Sequence, residues 1–358
     1  MTASTIASPV RSKPQLRAIA ISSIAYDWLF AALCLIFVAG VFLDGWAHNH
    51  GRVDESFFTP WHAVFYSGFM IVALALLGTT FLNWQKGLRG AAIWPSGYRL
   101  SATGLLIFAA GGFGDMLWHE IFGIEDGIEA LISPSHLTLG LGMGLIVTGP
   151  LRAAWNRANR AKAKGQELAT GWWALGPMVL SILTLTSIFT FLFMFSHPLF
   201  NVIGGPEPWT RANDVNLIVG YNSLILIATF LMGPLMFAMR RWQLPIGTFA
   251  LVWGINSIGM VILDWLPEHA LGLTIAFLVA GVLVEIIRLL LRPSAARPGA
   301  FHLFAFLAPF TLYLVYFATM IATAGTHWSV HMWSGSAVMS ATVVWLISYL
   351  VLPPREVV

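Results

Sequence analysis

The chain has 358 residues, 58% of them hydrophobic and only 10% charged, with a mean hydropathy of +0.77. Soluble domains carry about 25% charged residues, so a water-soluble globular class is excluded and an integral membrane protein is expected. A single cysteine, Cys34, rules out disulfide frameworks and Cys-rich metal sites; the net charge of +3 raises the question of nucleic acid, which the placement of the charges answers.

A helix crosses a bilayer with about 20 predominantly apolar residues. The start, MTASTIASPVRSKPQLR, is polar and basic, and the apolar run behind it is too long for a signal peptide and lacks an evident cleavage site. Residues 1–22 are therefore expected as a cytoplasmic tail. Apolar stretches follow near 23–43, 61–83, 100–119 and 133–152, and a basic cytoplasmic loop is expected at 153–171. Six more stretches, near 172–196, 215–239, 245–264, 267–291, 300–324 and 328–352, lead to a short tail at 353–358. The expected fold is an all-α integral membrane protein with ten transmembrane helices.

With the N-terminus inside, seventeen of the nineteen Lys and Arg residues fall on the inner side, leaving Arg52 and Arg211 outside. That asymmetry predicts an N-in, C-in topology in a cell (inner) membrane. It also assigns the basic pI to membrane orientation, so no nucleic-acid partner is expected. Nine of the ten histidines fall on the outer side, with His302 alone near the inner face. The positive-inside bias does not account for that.

The outer turns show a weak internal repeat. The first reads LDGWAHNHGRVDESFFTPWHAVFYSGF and the second GDMLWHEIFGIEDGIEALISPSHLTLGLGM. Each has an Asp closing one helix, a His four residues later, and a Ser/Thr-Pro-x-His opening the next. The fourth turn, LDWLPEHALGL, is a compressed version with Asp264, Glu268 and His269. The third keeps His197, and the fifth has His327 and His331. The chain is thus expected as five helical hairpins with outward-facing tips.

Residues i and i+4 share a helix face, so Asp44 and His48, and Asp115 and His119, can each point at one centre. In Thr59-Pro60-Trp61-His62 and Ser133-Pro134-Ser135-His136 the hydroxyl residue suits the N-cap and Pro suits the first helical position. His62 and His136 then stand in the first turn of the returning helix. One carboxylate and two imidazoles with open coordination positions suit copper, zinc or ferrous iron. A solvated turn that merely tolerates water is the plain alternative; repetition of the pattern argues against it, as does the cost of ionisable groups at membrane depth.

His50, Asp54 and Glu55 are expected at the margin of the first set. His327 and His331 are another i, i+4 pair, able to bind metal with His197 or His269 or to hydrogen-bond backbone at the interface. Asp264, Glu268 and His269 are open to metal binding or to proton relay. Asp27 and the Glu285/Arg288 pair are expected to be structural. A Gly-rich phosphate loop, CxxC, CxxCH and HExxH do not occur in the sequence.

The segment Asp44, His48, Phe58-Thr59-Pro60-Trp61-His62 and Phe65-Tyr66 resembles the metal-binding segment of one membrane subunit of the copper membrane monooxygenases, the particulate methane and ammonia monooxygenase family. The family's Trp before the first His is replaced by Ala47 here, but Trp118 precedes His119. A second family ligand set has Asn where this chain has Asp115, followed by two His that match His119 and His136. The resemblance spans roughly residues 35–150; the family's long N-terminal region has no counterpart, and about 200 residues follow the matched region. It implies copper on the periplasmic or exterior side and O₂-dependent oxidation of a small apolar substrate.

Two other classes compete with that enzyme. One is a protein for copper binding, delivery or transport; few polar groups beyond Asn216, Asn222, Asn256 and serines run through the spans, which argues against transport. The other is a structural subunit of a membrane complex, with partner subunits or further copies of the chain supplying the remainder.

Overall fold

The structure is a computed structural model, and it describes residues 21–52, 57–123, 127–206, 214–263 and 270–353. Among these residues the chain is helical, without strands: α1 (Ile24–Asn49), α2 (Pro60–Gln85), α3 (Arg99–Phe122), α4 (Ile128–Ile132), α5 (Pro134–Val147), α6 (Gly149–Ala163), α7 (Gly171–Leu192), α8 (Asp214–Met239), α9 (Thr248–Leu263), α10 (Ala270–Leu291), α11 (Pro298–Thr323) and α12 (Val330–Val351). Nine helical segments among the described residues are long and apolar enough to cross a membrane, with α5 and α6 together forming one of them. This is a multi-pass membrane architecture. The tenth expected span is α9, whose 16 described residues fall short of the length usually needed.

The helix starts follow the expected capping chemistry. Thr59 Oγ1 accepts from the His62 backbone N–H at 3.1 Å, and Ser133 Oγ accepts from that of His136 at 3.3 Å. Pro60 and Pro134 follow these caps, where a missing N–H costs nothing.

One element differs from expectation. Residues 153–163, expected as the first part of a basic loop at 153–171, belong instead to α6, which starts at Gly149 and buries Ala153, Ala154 and Ala158. The helix breaks between α5 and α6 because Pro150 has no N–H for the Ile146 carbonyl. Side chains take the exposed carbonyls instead: Ser101 Oγ bonds Ile146 at 2.9 Å, Arg152 Nη2 bonds Leu145 at 2.8 Å, and Ser181 Oγ bonds Val147 at 2.6 Å. Arg157 of α6 pairs with buried Asp27 of α1, whose other oxygen accepts from Tyr98 Oη at 2.6 Å. The basic residues looked solvated in the sequence; one face of them is committed to packing.

α1 packs along α2, and α3 along α5, through glycines that let the backbones meet. A Cβ on Gly68 would lie 2.9 Å from Phe37 Cα, and one on Gly142 would lie 2.7 Å from Phe108 N. Gly40 lies correspondingly against Phe65, and Gly111 against Leu139. Phe37 and Gly40 stand seven and four residues before Asp44, as Phe108 and Gly111 do before Asp115. Gly68 and Gly142 both stand six residues after the His that opens their helix. The repeat therefore includes the packing surface as well as the polar tip. α7 is the most enclosed of the long helices and packs against α1, α5, α6, α8 and α9. A hydrophobic core that includes Trp253, Phe249, Phe304 and Tyr316 joins α6 and α7 to α8–α12.

Candidate metal centre

Asp44 and His48 occupy the last turns of α1, and His62 the first turn of α2. The Asp44 Oδ2 atom is 3.4 Å from His62 Nε2 and 4.0 Å from His48 Nε2. Asp115 and His119 occupy the same places on α3, and His136 on α5. The Asp115 Oδ1 atom is 3.3 Å from His136 Nε2 and 3.6 Å from His119 Nε2. In each triad the three potential ligand atoms lie within 4.8 Å of one another. They are the two such groups among the described residues.

The far ring nitrogens are held in place. His62 Nδ1 donates to the Phe57 carbonyl at 2.5 Å, which places a proton on Nδ1 and turns Nε2 toward Asp44. His136 Nδ1 bonds Ser133 Oγ at 2.8 Å, so the capping serine also orients the ring. His119 Nδ1 lies 3.3 Å from the Gly123 carbonyl.

These triads pass a fit test for a metal ion. Metal–ligand bonds of about 2.0–2.2 Å place neighbouring tetrahedral donors roughly 3.3–3.6 Å apart, and three of the four carboxylate–imidazole distances fall at that spacing. Asp115 is only 2% exposed and Asp44 9%. Asp115 Oδ1, the oxygen nearest both imidazoles of its set, is buried without a hydrogen-bond partner; in Asp44 the unpartnered atom is Oδ1, whereas Oδ2 faces the imidazoles. Leaving a buried carboxylate oxygen unsatisfied is costly unless a cation completes it.

Both triads open on one cavity of about 150 Å³. Its apolar walls include Phe65 and Leu139, with Ile188, Phe191 and Leu192 from α7. Met143 and Met194 add two thioethers to the lining. The Phe57 ring bridges the triads, its centroid 5.0 Å from His62 and 6.1 Å from His119. Tyr66 lines the same space, one turn beyond His62, and Gly112 leaves room for its ring. The equivalent position after His136 is Gly140, whose missing side chain admits Leu192. Sequence reading missed Met194 and the α7 wall, which come from distant parts of the chain. Tyr66, by contrast, had an i, i+4 relation to His62 that pointed to it.

The remaining candidates stand apart. His50 donates from Nδ1 to the Trp46 carbonyl at 2.8 Å and stacks on Trp46. His197 is wholly buried beyond α7, where its Nδ1 accepts from Leu199 N at 3.2 Å and burial holds its pKa down at about 3. His327 donates to the Gly205 carbonyl. His331 lines a shallow exposed depression on α12 with Ser334 and Thr342. His302 bonds Ser348 Oγ at 2.7 Å and stacks on Tyr349. Asp54, Glu55, Asp264, Glu268 and His269 lie outside the described residues.

Compared with known protein families, characterised proteins and solved structures, the chain gives no match.

Proposed function

We propose that this chain is a membrane metalloprotein that binds copper through Asp44, His48 and His62 and through Asp115, His119 and His136. The observation that carries this reading is the pair of Asp-His-His sets, each with a buried carboxylate, opening on a single cavity. Each set sits at the tip of a helical hairpin, and the Lys/Arg asymmetry assigns those tips to the extracytoplasmic side. Zinc and iron share the ligand chemistry. The Met143 and Met194 thioethers in the cavity tilt the choice toward copper, because soft sulfur favours Cu(I).

As an enzyme the protein is an O₂-dependent monooxygenase of small apolar substrates, or a subunit of one. Bound copper would supply redox chemistry toward O₂. The chain's own residues bind and orient. The carboxylates set the local charge, the Phe57 carbonyl and Ser133 hydroxyl hold two imidazoles in position, and the apolar wall from α7 keeps bulk water out. A cavity of about 150 Å³ has room for a small guest molecule.

The same thioethers favour a second reading, copper binding or delivery without catalysis. Metal analysis of gently extracted protein tests both, alongside variants with Asp44, His48 or His62 each changed to Ala. The expected outcome is copper in the wild type and reduced copper in each variant. Metal-free wild-type protein overturns the proposal. Bound copper without O₂ consumption in the presence of a small alkane, an alkene or ammonia selects the delivery reading.

A further inference from the structure

At the opposite end of the bundle from the triads, α6 and α8 terminate beside each other around an open cleft of about 490 Å³. Asp27, near the start of α1, pairs with α6, and Asp44 lies 17 residues further along α1. At 1.5 Å per residue, roughly 25 Å therefore separates the two levels. The cleft is lined by Lys162, Arg240 and Arg241, with Trp155, Asn159 and Gln166 among its other walls. Among the described residues that line it, none is a carboxylate.

Two of the cations are held in place by neutral groups. Arg241 Nη2 donates to Asn159 Oδ1 at 2.6 Å, and its guanidinium stacks 4.5 Å from the Trp155 ring centroid. Arg240 Nη1 donates to the Val351 carbonyl at 3.2 Å and lies over the Phe237 ring. Partial burial, then the adjacent Arg240 charge, hold the Arg241 pKa below its ordinary value. Arg240 and Arg241 are adjacent in sequence, and no carboxylate is among the described residues that line the cleft.

The depth of the cleft narrows the ligand. Phe237, an exposed apolar residue stacked on Trp155, flanks it; Trp155 lies about two turns before the end of α6, and buried Trp242 follows the end of α8. Tryptophan at such a level marks the boundary between hydrocarbon and headgroups. Fixed cations at that boundary, flanked by apolar surface, match a phosphate with acyl chains attached. Basic pockets between helix ends bind anionic lipid headgroups by this chemistry.

We infer that Lys162, Arg240 and Arg241 form a binding site for the phosphate of an anionic phospholipid. The inference is independent of what the triads bind. The full chain in micelles of a neutral detergent is offered phosphatidylglycerol, phosphatidylcholine or inorganic phosphate, with lipid retention read by native mass spectrometry and thermal stability read in parallel. Phosphatidylglycerol is expected to be retained preferentially and to raise Tm. Each cation lining the cleft is expected to contribute about a fivefold change in retention, the attraction of one Lys or Arg to an anionic headgroup. The Arg240→Gln/Arg241→Gln double variant should therefore lose retention by about twenty-fivefold, and Lys162→Gln by about fivefold. Arg89→Gln removes an exposed Arg stacked on Trp84 at the same end and should change nothing. If the double variant fails to fold, Lys162→Gln alone decides, and retention equal to wild type in it overturns the site. Equal retention of phosphatidylcholine, or an equal Tm rise with inorganic phosphate alone, overturns the lipid assignment.

Discussion

His62 and His136 occupy equivalent positions, yet different groups hold their far nitrogens. The Phe57 carbonyl can only accept, so it dictates the His62 tautomer; the Ser133 hydroxyl can donate or accept, so it orients His136 without fixing its proton. His197 shows what burial does to an imidazole among uncharged neighbours such as Asn256 and Phe277. Its folded-state pKa is about 3 against an ordinary 6.5, so the unfolded chain takes up its proton first. The stability contributed by neutral His197 is complete above about pH 6.5 and declines as pH falls toward 3. Thermal melts between pH 7 and pH 4 should show a steeper loss in the wild type than in His197→Asn; parallel profiles would remove this assignment.

At the scale of elements, the repeated Phe and Gly positions make the two helix pairs alike below their polar tips. A methyl on Gly142 would meet the Phe108 backbone at 2.7 Å, and backbone cannot rotate away as a side chain can. Gly142→Ala should destabilise the protein by about 1–3 kcal/mol and reduce metal at Asp115, His119 and His136, with the Asp44 set unaffected. Gly78→Ala, where nothing lies within 4 Å, is the control. Tm and metal content report both effects, and an unchanged Gly142→Ala protein would show that the close approach has no such cost. The apolar helices were legible in the sequence because hydropathy over a bilayer's width is a strong signal. α6 was not, because Arg157 and its neighbours resemble a solvated loop until Asp27, 130 positions away, is seen opposite. The i, i+4 spacing and the Ser/Thr-Pro caps made each triad legible from local geometry alone.

Across the whole molecule, the shared cavity is what the sequence withheld. Its wall needs α7 and Met194 to fold back against both helix pairs, and no local pattern encodes that contact. Ions in the triads would tie α1 to α2 and α3 to α5, so metal binding should stabilise the assembled fold. Free metal at about one hundred times Kd contributes roughly 2.7 kcal/mol per site. Adding copper to chelator-treated protein should raise Tm, and the Asp44→Asn/Asp115→Asn variant should not respond. An equal rise in that variant would place the stabilising ion elsewhere.

The mismatch between Tyr66 and Gly140 reaches beyond packing. Two identical halves would offer a guest two equivalent poses related by the internal pseudo-symmetry. A phenol on one side and an open glycine on the other remove that equivalence. A prochiral guest in this chamber meets a different wall with each of its faces.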